Sequence, residues 1–96
     1  MTKAEQLTIL ASKLMKYEEQ LVESTTGETY KGAIQKIKTF LDIILHTEEL
    51  NDFHLTVLEI KIRLERLEVG EIIKSQFSCD KLYKQLVIMA AEKVEN

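Results

Sequence analysis

Apolar residues recur every three or four positions along most of the chain, and this is the spacing of one face of an α-helix. The first such segment covers about residues 3–23 and follows Thr2 and Glu5, which have the spacing of a helix-capping box. Its apolar stripe consists of Leu7, Leu10, Leu14, Tyr17 and Leu21. We therefore predict an amphipathic first helix with a single apolar face.

Three further segments, at about residues 26–46, 48–69 and 79–94, show the same periodicity. Thr25 and Glu28 have capping-box spacing before the second segment, and Gly70 is a typical residue just beyond the end of the third. Residues 71–77 fit either a linker or an extension of the third helix. We predict an all-α fold, an antiparallel four-helix bundle in one domain spanning residues 1–96.

The stretch from Leu58 to Gly70 allows a second interpretation, because its first seven residues alternate between apolar and charged as a β-strand does. A strand, however, explains only those residues and has no hairpin signal beside it. A helix also explains the residues upstream, because they continue one seam at spacings of three and four: Leu50, Phe53, Val57, Ile60, Leu64 and Leu67. The helix is the prediction that accounts for more of the pattern.

On such a helix a second apolar stripe remains, formed by Leu55, Leu58, Ile62 and Val69. It lies on roughly the opposite side from the seam, at 100° per residue. Two explanations stay open: the helix is central in its own fold, or the second stripe binds another chain. The second explanation predicts a homodimer joined through the third helix. The predicted partner-binding residues are Leu55, Leu58, Lys61, Ile62, Glu65, Arg66 and Val69.

Composition is consistent with a helical protein, since the 96 residues include no proline and three glycines. Apolar residues make up 45% and charged residues 30%, the profile of a folded, water-soluble chain. No apolar run is long enough for a membrane span, and the single cysteine favours a reducing compartment. We expect a cytoplasmic protein with no membrane partner, and the abundance of lysine, isoleucine and glutamate suggests a bacterium or its phage as the source.

Candidate chemistry is weak by comparison. Cys79 lies in the first turn of the predicted fourth helix, where the helix dipole lowers a thiol pKa, but Asp80 beside it acts in the opposite direction. His46, Glu48, Glu49, Asp52 and His54 cluster at a helix junction but lack the Glu-x-x-His pairs of bundle metal sites. Lys31, Lys36 and Lys38 are spread around the second helix and form no concentrated basic face.

These observations predict a non-enzymatic protein without cofactor or metal. We expect a small interaction protein, such as an adaptor, an inhibitor or an immunity-type protein, that binds an unidentified protein partner through an apolar helical surface. The alternative is a regulator of transcription or replication that acts on nucleic acid or on its machinery. The formal net charge of −3 gives no general attraction to nucleic acid, so we do not expect that class of partner.

Overall fold

The computed structural model describes residues 1–95. In that part of the chain there are four α-helices: α1 (Lys3–Glu23), α2 (Gly27–Leu45), α3 (His54–Glu68) and α4 (Asp80–Glu95). Two short 3-10 helices, Glu48–Phe53 and Lys74–Gln76, precede α3 and α4. These residues contain no strand, so the helical interpretation of the stretch from Leu58 to Gly70 is confirmed.

Side-chain caps fix the starts of the first two helices. The Thr2 hydroxyl accepts a hydrogen bond from the Glu5 N–H at 3.1 Å, as the sequence predicts. At α2 the predicted box of Thr25 and Glu28 is wrong by one residue, because Thr26 caps the helix and accepts from the Thr29 N–H at 3.1 Å. The Thr29 hydroxyl returns the bond by accepting from the Thr26 N–H at 3.2 Å, so a threonine takes the part that glutamate usually plays.

The predicted third helix, residues 48–69, is divided in the structure. Leu50 has non-helical dihedral angles (φ −106°, ψ 24°), and the chain from Glu48 to Phe53 forms a 3-10 helix before α3 begins. Leu50 and Phe53 remain buried across this kink, so the apolar seam still faces the core. At the other end Gly70 has φ +82°, a left-handed conformation that stops the helix. Residues 71–77 are therefore a linker containing one 3-10 turn, not an extension of α3.

The helices form an antiparallel four-helix bundle in which α1 packs against α2 and α4, and α3 packs against α2. Paired contacts show the direction of neighbouring helices. The Lys61 Nζ lies 3.0 Å from the Asp42 carboxylate, whereas further along α3 the Glu68 carboxylate lies 2.6 Å from the Lys38 Nζ. Contacts on α2 therefore move toward its N-terminus as α3 advances, so the two helices run in opposite directions.

The core takes one face from each helix. Its most deeply buried side chains include Leu7, Leu14 and Leu21 of α1, Ile34, Ile37, Leu41 and Ile44 of α2, Val57 and Leu64 of α3, and Leu82 and Leu86 of α4. The seam predicted for the third helix thus supplies α3's contribution. Val87 and Val94 of α4 lie outside this core and are exposed.

Candidate protein-interaction surface

The outer side of α3 carries four exposed apolar side chains, which we call the α3 crest: Leu55, Leu58, Ile62 and Val69. Their exposed fractions are 72%, 46%, 56% and 70%. At 100° per residue these four positions fall within about 60° of the helix circumference, so they form one ridge, which Glu65 interrupts between Ile62 and Val69. A ridge of this kind is typical of a surface that another chain covers.

The crest does not belong to the internal core. Val57, Ile60 and Leu64, from the other side of the same helix, have exposed fractions of 0%, 5% and 0%. The bundle thus buries one of the two apolar stripes of α3 and leaves the other in contact with solvent. The alternative in which α3 sits centrally and uses both stripes inside its own fold is wrong.

Charged side chains border the crest on both sides. On the side facing α2, Lys61 pairs with Asp42 at 3.0 Å. On the side facing α4, Glu59 pairs with Lys81 at 3.2 Å. These contacts anchor α3 to the neighbouring helix on each side of the crest. Glu59 was missed by sequence reasoning, because the sequence does not tell which helix flanks which side of α3.

The other residues of the predicted partner-binding set lie on or beside the crest. Glu65 is exposed one turn from Ile62, and Arg66 is exposed with its Nε 3.9 Å from a Glu71 carboxylate oxygen. Val69 occupies the C-cap position at the end of α3. Lys61 is half-buried and turned toward α2, so of this set it lies furthest from the centre of the ridge.

A second apolar surface lies between α1 and α2 on the outside of the bundle. Ile9 of α1 and Ile43 of α2 line an open depression of about 340 Å³ together with Leu10. A second depression, of about 450 Å³, adjoins it at Leu10 and Ile43. Sequence reasoning missed this groove, because each isoleucine falls outside the apolar stripe of its own helix and only packing brings the two together.

The candidate chemical groups are used by the fold itself. Cys79 is buried, and its burial, together with the nearby Glu18 carboxylate, raises the pKa of the thiol to about 12. The Glu18 carboxylate also accepts a hydrogen bond from the Cys79 N–H at 2.5 Å. A thiol with that pKa is protonated at neutral pH and is a poor nucleophile.

Both histidines and two of the three lysines of α2 named above, Lys36 and Lys38, are likewise engaged within the bundle. A ring nitrogen of His46 lies 2.7 Å from the Asp42 carbonyl oxygen, and one of His54 lies 2.9 Å from that of Ile44. Lys36 donates to Gln20, and Lys38 pairs with Glu68. Within residues 1–95 no three histidine, cysteine, aspartate or glutamate side chains come together in a metal-binding arrangement.

Comparison of the chain with protein-family models, with curated proteins and with solved structures returned no match. Among the described residues, none of the helices has the length and apolar character needed to cross a membrane.

Proposed function

We propose that this protein is a non-enzymatic interaction protein that works as a homodimer joined through the α3 crest. The observation that carries the proposal is the exposure of four large apolar side chains along one line of a helix whose opposite side is fully used by the core. Exposed apolar ridges in folded proteins are commonly covered by another chain, and two-fold dimers are the commonest assemblies.

The size of the crest sets the expected strength of the dimer. Burying an apolar side chain of this size contributes about 1.5–3 kcal/mol when the burial is complete. The crest side chains are between about half and three-quarters exposed, so the eight of a dimer contribute about 10 kcal/mol in total. Association itself costs about 4–15 kcal/mol. The difference is at most about 6 kcal/mol, so we expect a dissociation constant of about 40 µM or weaker, with monomer and dimer in exchange.

The dimer leaves the apolar groove between α1 and α2 free to bind a further protein, as adaptors, inhibitors and immunity-type proteins do. We infer that the protein works in the cytoplasm, because its one cysteine is buried with the thiol free. Of the three lysines spread around α2, Lys36 and Lys38 are already engaged by side chains of the bundle, so the structure adds no observation in favour of a nucleic-acid regulator.

A solution mass measurement tests the proposal directly. Light scattering coupled to size-exclusion chromatography, run from about 1 to 500 µM around the expected dissociation constant, is expected to give a mass that rises from 11.1 kDa toward twice that value. A mass that stays at 11.1 kDa throughout the range contradicts the homodimer.

A further inference from the structure

The crest residues follow a heptad pattern, which allows the orientation of the two copies to be worked out. Leu55, Leu58 and Ile62 are spaced by three and four residues, and Val69 lies seven residues after Ile62. The heptad position on the crest between Ile62 and Val69 is Glu65, which is exposed. When two helices pack through such a heptad pattern, the residues of one pattern pack against those of the other. In a dimer joined through the crest, the Glu65 carboxylate must therefore lie close to the other copy.

A row of charged side chains runs along each side of the crest. The row on the α2 side includes Lys61, fixed there by its contact with Asp42. The row on the α4 side includes Glu59, fixed by Lys81, and Arg66, which follows seven residues later on the same side. Residue number gives the position of each charged side chain along α3, and these contacts give its side of the crest.

A parallel arrangement brings like charges together. In parallel helix pairs equivalent heptad positions face each other, so Glu65 of one copy meets Glu65 of the other. The flanking position occupied by Lys61 faces the position five residues further along the other helix, which is Arg66. Both contacts join groups of the same sign and oppose association.

An antiparallel arrangement removes both conflicts. Its two-fold axis runs across the helices, so the α2-side row of one copy meets the α2-side row of the other, and the α4-side rows likewise meet. If the axis crosses α3 between residues 62 and 63, Arg66 lies level with Glu59 of the other copy. Glu65 then lies one residue, about 1.5 Å along the axis, from the level of Lys61 of the other copy.

The same register also brings three of the four crest residues together, whereas Leu58 lies level with residue 67 of the other copy. Ile62 lies beside its own equivalent at the axis, and Leu55 lies within one residue of the level of Val69 of the other copy. We propose, on the basis of the homodimer above, that two copies pack antiparallel along α3 about this axis, with Glu65 paired to Lys61 and Arg66 paired to Glu59 between copies. Because of the two-fold symmetry each of these pairs occurs twice, so four interchain ion pairs surround the apolar contact between the two crests.

Charge reversal tests the register. In the antiparallel dimer residue 61 of each copy lies beside residue 65 of the other. Lys61→Glu therefore puts two glutamates together at each of these two contacts, and Glu65→Lys puts two lysines together. We expect each variant alone to self-associate about tenfold or more weakly than the original chain, measured by sedimentation over a concentration series. Mixing the two variants restores opposite charges at both contacts, so the mixture is expected to form heterodimers at close to the original affinity.

The parallel arrangement predicts a different outcome. There Lys61→Glu places a glutamate opposite Arg66 and strengthens self-association, whereas Glu65→Lys only replaces one like-charged pair at residue 65 with another and leaves self-association about unchanged. Stronger self-association of Lys61→Glu, or equal weakness of the mixed variants, therefore overturns the antiparallel register while leaving the homodimer intact. Lys61→Gln is the control for the lost contact with Asp42 and is expected to change the affinity only a few-fold.

Discussion

Lysine substitutions at two neighbouring isoleucines of α3 separate the crest from the core. Ile62 is 56% exposed on the crest, whereas Ile60, two residues earlier, is 5% exposed and faces the core. We expect Ile62→Lys to remain folded and to become monomeric, and Ile60→Lys to unfold. The two substitutions are chemically identical, so any difference between them comes from position alone.

The expected magnitudes follow from burial. The exposed part of Ile62 contributes about 1–1.5 kcal/mol per copy when covered, so two copies lose about 2–3 kcal/mol and the affinity falls about 100-fold. A lysine at Ile60 loses the packing of a buried isoleucine and places a charge in an apolar core, at a cost of about 5 kcal/mol or more. That cost is comparable with the total stability of a domain of 96 residues, about 5–14 kcal/mol.

The assays are circular dichroism melting for folding and sedimentation equilibrium for mass. Ile88 on α4 is 58% exposed and supplies a matched control, because Ile88→Lys changes an equally exposed isoleucine away from the crest. This control is expected to fold and to dimerise like the original chain. If Ile62→Lys and Ile60→Lys unfold the protein equally, the assignment of the crest to the surface is refuted. If folded Ile62→Lys still dimerises, the interface lies elsewhere.

Three further predictions concern the fold itself. Gly32 lies inside α2, and apart from its chain neighbours and the helix's own backbone nothing lies within 4 Å of an added Cβ. Gly32→Ala is therefore expected to raise the free energy of unfolding by about 0.5–1 kcal/mol in urea titration. Gly70→Ala is expected to lower it by about 1–2 kcal/mol, because Gly70 has φ +82°. Thr26→Ala removes the α2 cap and is expected to cost about 1 kcal/mol, which calorimetry detects as a fall in Tm of about 4–8 °C; an unchanged Tm refutes the cap. The folded-state pKa of the Cys79 thiol, about 12, lies above its unfolded value, so its contribution to stability is complete below about pH 8.5 and declines as the pH rises toward 12. Native protein at pH 7.5 is therefore expected to react with a thiol reagent far more slowly than urea-unfolded protein, and equal rates contradict the burial.

Much of the fold is predictable because helix formation depends on local periodicity. The stripe containing Leu7, Leu14 and Leu21 specifies both the first helix and the face that it buries. The kink at Leu50 was not predictable, because the apolar spacing continues through it without interruption and only the backbone dihedral angles reveal it. The shift of the α2 cap to Thr26 was equally hidden, since several neighbouring threonines satisfy the same spacing rule.

The candidate interaction surface was also predictable only in part. By itself the sequence determined that the third helix carries two apolar stripes, because the positions of side chains around a helix follow from residue number alone. Only the tertiary structure decided that the stripe through Ile60 and Leu64 is internal and that the one through Leu58 and Ile62 is exposed. Burial depends on which helices pack together, and that is a property of the whole chain rather than of any single segment.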